Sequence, residues 1–235
     1  MDSNNPQFFT AEEIQREQAT FITKVYSWMA MALALTGFTA YAVASSEAMI
    51  QMIFGSMFVF YGLIIAELGL VWYISSRLHS MTANTATSLF VLYSVLNGLT
   101  MAFIFLVYTA SSIASTFLIT AGTFGAMSFY GYTTKKDLTS WGNILFMAVI
   151  GLIIASIVNI FLKSSMFNFI ISCIGVLVFT GLTAYDTQKI KEMNIIGNDG
   201  TEEDRKEAIS GALCLYLDFI NLFLFLLRLL GGRRD

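Results

Sequence analysis

Along the chain, apolar residues gather into seven long runs separated by polar stretches, roughly 25–44, 53–74, 86–108, 113–134, 143–162, 167–186 and 209–230. Each is close to the roughly 20 residues that an α-helix needs to cross the hydrocarbon core of a bilayer. The runs are apolar on every side. Strands of a membrane barrel would alternate apolar and polar at every second position, so the pattern predicts helices. It divides the chain into an N-terminal tail over 1–24, a seven-span membrane domain over 25–230 and a short C-terminal tail over 231–235. Within the first tail, residues 8–24 read as a short helix with Phe9, Ile14 and Phe21 against the membrane. The tail is polar and acidic (Asp2, Glu12, Glu13, Glu17). A cleaved signal peptide begins basic and turns apolar at once, so the first span is expected to be retained.

The connections orient the bundle. Short loops rich in Lys and Arg stay in the cytoplasm. With a cytoplasmic N-terminus, nine of the 13 cations fall on inner segments: Arg16, Lys24, Arg77, Lys135, Lys136, Lys189, Lys191, Arg205 and Lys206. Lys163, Arg228, Arg233 and Arg234 fall outside. The pair Arg233–Arg234 runs against this bias. The seventh run is nonetheless long enough to cross and has no proline or mid-run glycine to turn it back. The outer connections 109–112 and 163–166 are too short for an external domain. The longest connection, 187–208, carries the turn signal Gly197-Asn198-Asp199-Gly200. The sixth helix is expected to continue to about Met193, and the seventh to begin near Thr201, whose hydroxyl suits an N-cap. Small residues that let helices approach closely lie at Gly122, Gly125 and Ser128 of the fourth span and at Gly175 and Gly181 of the sixth.

Composition agrees with a lipid solvent. Apolar residues make up 56% of the 235 residues and charged residues 12%, about half the usual charged share. That excludes a disordered chain, a disulfide scaffold and an ordinary cytosolic enzyme. Thirteen dispersed cations and a net charge of −3 exclude nucleic-acid binding. Cys173 and Cys214 read as apolar buried thiols, and the single His79 cannot build a metal cluster.

Charge inside a span is costly and marks function by default. Glu67 sits in the second span, Arg77 closes it, Asp186 ends the sixth, Asp218 lies in the seventh, and Arg228 follows ten residues later; Asn97 and Asn221 add neutral polarity. Asp218 is nine residues into its run, about 14 Å deep at 1.5 Å per residue. The sixth and seventh helices are consecutive and antiparallel, hence expected neighbours. Two carboxyls brought together in low dielectric cannot both ionise cheaply, and such a pair titrates as a unit. It could serve as a pH sensor, a hard-cation site or an acid–base pair. Calcium favours carboxylate and carbonyl oxygens. Arg77 is the cation expected to compensate Asp186, and Glu67 could reach Arg228.

GLTAYDTQKIK at 181–191 and LYLDFINLFLFLLRLLG at 215–231, with SSIASTFLITAGTFGAMSFYGYTTKKDLTSWG at 111–142, resemble the Bax inhibitor-1 family (transmembrane Bax-inhibitor-motif proteins), in its bacterial branch. The resemblance covers the chain after residue 20. It implies an all-α integral membrane protein of seven transmembrane helices, the last one central and surrounded by the other six. It also implies a pH-sensitive calcium leak in the bacterial inner membrane. The family's di-aspartyl sensor falls on Asp186 and Asp218, with calcium passing this pair. Its latch arginine falls on Arg77, and its second acid–arginine contact on Glu67 and Arg228. The long acidic connection 187–208 departs from the bacterial pattern and bears on regulation, not on the aspartates. Under this reading, ionised Asp186 holds Arg77 and latches the pore, and protonation releases it. The chain is then no enzyme and has no cofactor. Its partners are calcium, protons, the lipid bilayer and other membrane proteins, and it works as a monomer. A non-conducting regulator of other membrane proteins is the alternative. An intramembrane aspartyl protease is a poorer one, because the Gly-x-Gly-Asp motif is absent.

Overall fold

In the computed structural model, which describes residues 10–234, seven helices are long and apolar enough to cross a membrane. The first, α1 (Ala11–Ala44), starts on a capping box. The Thr10 hydroxyl accepts the Glu13 backbone N–H at 3.2 Å, and the Glu13 carboxylate accepts the Thr10 N–H at 2.8 Å. With the helix start satisfied and no proline downstream, residues 11–24 become the first turns of the spanning helix. The separate short helix expected there does not form. Phe21 turns into the bundle core and Ile14 is half-buried, whereas Phe9 lies outside the described residues.

Two runs are interrupted. The second divides into α2 (Glu47–Phe54) and α3 (Met57–Arg77), with Gly55 between them and a 3-10 turn over 78–80 after them. The third divides at Ala102 into α4 (Ala83–Met101) and α5 (Phe103–Val107). The remaining spans are α6 (Ala110–Thr133), α7 (Thr139–Leu162), α8 (Ser165–Met193) and α9 (Glu202–Leu230). The α8 and α9 limits match the sequence expectation. The Thr201 hydroxyl caps α9 by accepting the Asp204 N–H at 3.2 Å.

The centre of the bundle is α9. It packs against α8, α1, α6 and α4, and its buried residues include Leu215, Tyr216, Leu222 and Leu227. The outer helices α3 and α7 cover α4 and α8, respectively. Gly122 and Gly125 have open space where a Cβ would stand, so they do not mediate the close approach expected of them. Gly131 does: a Cβ there would overlap the Ala184 carbonyl of α8. Gly175 leaves room for the Phe225 ring of α9, which stacks on Phe179 at 5.8 Å.

Each end of α9 is tied down. At its N-terminal end, Lys24 of α1 pairs with Asp199 and, at 2.8 Å, with the buried Asp204. Glu17 accepts the Gly197 N–H at 2.8 Å, and Arg205 donates to Asn84 at 2.9 Å. At its other end, the tail lies along the α5–α6 connection. The Arg234 N–H donates to the Val107 carbonyl at 2.9 Å and the Thr109 N–H to the Gly232 carbonyl at 3.1 Å. The tail therefore lies at the opposite end of α9 from the 194–201 connection, the arrangement that a full crossing requires.

Candidate functional site

Asp186 stands two turns before the end of α8, and Asp218 in the middle of α9. Tight packing puts the two helices in register: Phe225 fills the space over Gly175, and Gly211 admits Ile190. Asp186 is 7% exposed and Asp218 5%. Their carboxyls lie within hydrogen-bonding reach of each other. The expected meeting of the two aspartates thus occurs. A hydrogen bond between two carboxyls requires a proton on one of them. The second oxygen of Asp218, Oδ2, is buried without a partner. A buried polar atom in that state is costly and is free to accept a proton or a cation.

Sequence reasoning passed over a third member. Cys214, read as a plain apolar thiol, stands beside the Asp186 carboxyl. Its spacing to Asp218, i to i+4 on one helix face, is the signal that could have found it. Neither cysteine is in a disulfide. Among the described residues, no group of three or more His, Cys, Asp or Glu side chains could hold a metal ion.

The expected arginine partners are elsewhere. Arg77 is exposed at the end of α3, and no ion pair among the described residues includes it. The reason is topological: α3 packs on α2 and α4, not on α8. The cation that bears on Asp186 is Lys189, one turn further along α8. Nor does Glu67 meet Arg228. The Glu67 carboxylate accepts from the Asn97 amide at 3.1 Å and the Thr100 hydroxyl at 2.7 Å, both on α4. Asn97 accepts in turn from the Tyr216 hydroxyl at 2.9 Å, which pairs with Thr36 of α1 at 2.7 Å. A chain of hydrogen bonds thus links outer α3 to central α9. Arg228 lies over the Phe225 ring at 5.4 Å, beside a groove shared with α7.

The family model described as "Inhibitor of apoptosis-promoting Bax1" matches residues 18–235. The chain is 54% identical over 216 residues to the Inner membrane protein YbhL of Escherichia coli (strain K12), covering 92% of each chain. An uncharacterized protein of Borreliella burgdorferi is 49% identical over 215 residues, covering 92% of this chain and 93% of the other. An uncharacterized membrane protein of Streptococcus pyogenes serotype M1 is 37% identical over 230 residues, covering 97% and 98%.

Proposed function

Because the chain belongs to the Bax inhibitor-1 family, we propose that it is a pH-sensitive calcium leak channel of the membrane, with Asp186 and Asp218 as its sensor and ion-passage pair. The observation that carries this reading is the buried contact of the two carboxyls, with Asp218 Oδ2 unpartnered beside it. With one proton shared, the contact is attractive and ties α8 to α9. With that proton lost, two anions face each other in a low-dielectric interior, where like charges repel strongly. The pair must then part or take a cation. In the ionised state that cation is the latch arginine; calcium, a hard cation that binds carboxylate oxygens, passes the pair as cargo once protonation has released the latch. Protonation thereby biases a two-state helix contact, the ordinary basis of such switches.

The arginine latch belongs to the ionised state of this scheme. Arg77 would have to approach Asp186 by movement of the exposed α3 end. Acidification releases it, so flux rises as pH falls. The Lys and Arg count supports a cytoplasmic N-terminus, and the name of the Escherichia coli relative supports the inner membrane as its location.

The test is calcium entry into dye-loaded liposomes between about pH 6 and pH 8, across neutrality, since a carboxyl pair that shares a proton titrates as a unit. Wild type is expected to conduct more at the acidic end. Asp218→Asn and Asp186→Asn are expected to remove that dependence. If Asp218→Asn leaves flux and its pH profile unchanged, the reading is wrong. If the wild type conducts nothing at any pH but crosslinks to another membrane protein, the chain is a non-conducting regulator.

A further inference from the structure

A groove of ≈ 580 Å³ opens on the outside of the bundle between α6, α7 and α8. That volume lies in the range of ligand sites. Its walls are apolar, with Met127, Leu145 and Val178 among them. Its mouth, at the α6–α7 connection, carries Tyr130, Trp141 and Lys136. Trp141 is 62% exposed in the bundle alone. Tyr and Trp gather at the headgroup level of a bilayer, which places the mouth there and the walls among the acyl chains.

The charge at the mouth is lopsided. Lys136 lines it, exposed Lys135 precedes it, and Lys189 lies over the lining Tyr185 ring at 6.0 Å. The one acid in the lining, Asp137, is engaged: its carboxylate accepts the Thr139 N–H at 2.8 Å. Hydrogen bonds from the Thr139 hydroxyl and backbone hold it below the usual carboxylate range. Three cations against one anion favour a negatively charged headgroup. The groove is also built into the helix packing: a Cβ at Gly142 would collide with the Tyr185 ring, and one at Gly181 would stand 2.9 Å from Leu145. Glycine at both positions lets Tyr185 and Leu145 seat as they do.

We propose that this groove binds one anionic glycerophospholipid, its acyl chain against α7 and α8 and its phosphate at Lys135 and Lys136. The inference is independent of conduction. It joins the lipid to α8, the helix that carries Asp186.

The test uses Trp141 as the reporter. The chain has three tryptophans, and the variant W28F/W72F leaves only this one. Reconstituted in bilayers containing brominated-acyl phosphatidylglycerol or brominated-acyl phosphatidylcholine, it reports which lipid occupies the groove through fluorescence quenching. Phosphatidylglycerol is expected to bind with a preference of about fivefold per contributing lysine, the value for one cation near an anionic surface. K135Q/K136Q is expected to bring the preference close to one. In case W28F disturbs α1, the ratio of the two lipids retained on purification from an equal mixture is compared between the otherwise native chain and K135Q/K136Q. Equal quenching by both lipids, a preference for the choline lipid, or a preference that survives K135Q/K136Q each overturns the proposal.

Discussion

Tyr216 and Asp218 lie two residues apart on α9 and serve different neighbours. Residues at i and i+2 do not share a helix face. The Tyr216 hydroxyl joins Asn97 and Thr36, whereas the Asp218 carboxyl meets Asp186. Tyr216 is fully buried, with Phe90 and Tyr93 packed edge-on against its ring at 5.9 and 5.8 Å. Tyr216→Phe keeps that packing and removes both hydrogen bonds. Hydrogen bonds between helices in a membrane contribute modestly, so the expected loss is about 1–2 kcal/mol, read as earlier thermal unfolding in detergent. The pH profile of calcium flux is expected to stay where the wild type has it, because the Asp186 contact is untouched. A shifted profile would show that the Glu67–Asn97–Tyr216 chain and the aspartates form one unit. At this scale the sequence was informative about which residues matter and poor about which ones pair. Asp186 and Asp218 were legible because their runs hold almost no other charge. The partners of Glu67 were not, and the expected Arg228 is not among them, because span order does not say which way a side chain turns. Asn97 and Thr100, i and i+3 on α4, were the better partners for a carboxylate on the helix that packs there.

Among the elements, α8 is fixed against α6 by a backbone contact. Adding a Cβ at Gly131 of α6 would drive it into the Ala184 carbonyl, two residues before Asp186. A backbone atom cannot swing aside as a side-chain end can. Gly131→Ala is therefore expected to destabilise by about 1–3 kcal/mol, the usual cost of overpacking, and to move α8 relative to α9. Gly125→Ala, on the same helix but with open space at its Cβ, is the matched control. It should be neutral or slightly stabilising, since alanine is the better helix former. Melting temperatures of the two variants in one detergent decide the point, and equal values would show that the α6–α8 contact is slack. The sequence located small residues on α6 but not which of them touches a neighbour, because that depends on helix rotation. The helix break at Ala102 escaped for a related reason, since it lies in an apolar stretch where periodicity is silent; the break at Gly55 carried a local signal in Gly55-Ser56 that was passed over. The α9 start, by contrast, was legible from Thr201, because capping is a local event.

For the molecule as a whole, the strap formed by the C-terminal tail makes topology testable. Arg234 lies against Val107, at the far end of α9 from the Lys24–Asp204 pair. Arg233 and Arg234 would favour the cytoplasm by charge alone. Their backbone and side-chain contacts hold them at the other end instead, with Arg234 Nη1 donating to the Phe105 carbonyl at 3.2 Å. Two basic residues are outweighed by the long, mostly apolar stretch of the central helix, which is long enough to cross. A membrane-impermeant maleimide added to intact spheroplasts is therefore expected to label Arg234→Cys readily. Lys135→Cys, in the α6–α7 connection, is expected to react only after the membrane is opened. The native Cys173 and Cys214 lie within α8 and α9, so the background is expected to be low, and the unmodified chain measures it. Labelling of both positions from one side would mean that α9 does not cross. The reverse assignment, with Lys135→Cys reactive from outside, would keep the fold and invert the orientation. It would then place the Asp186 end of α8, and the cations beside it, on the outer face, where acidification would have to act from outside the cell to open the path.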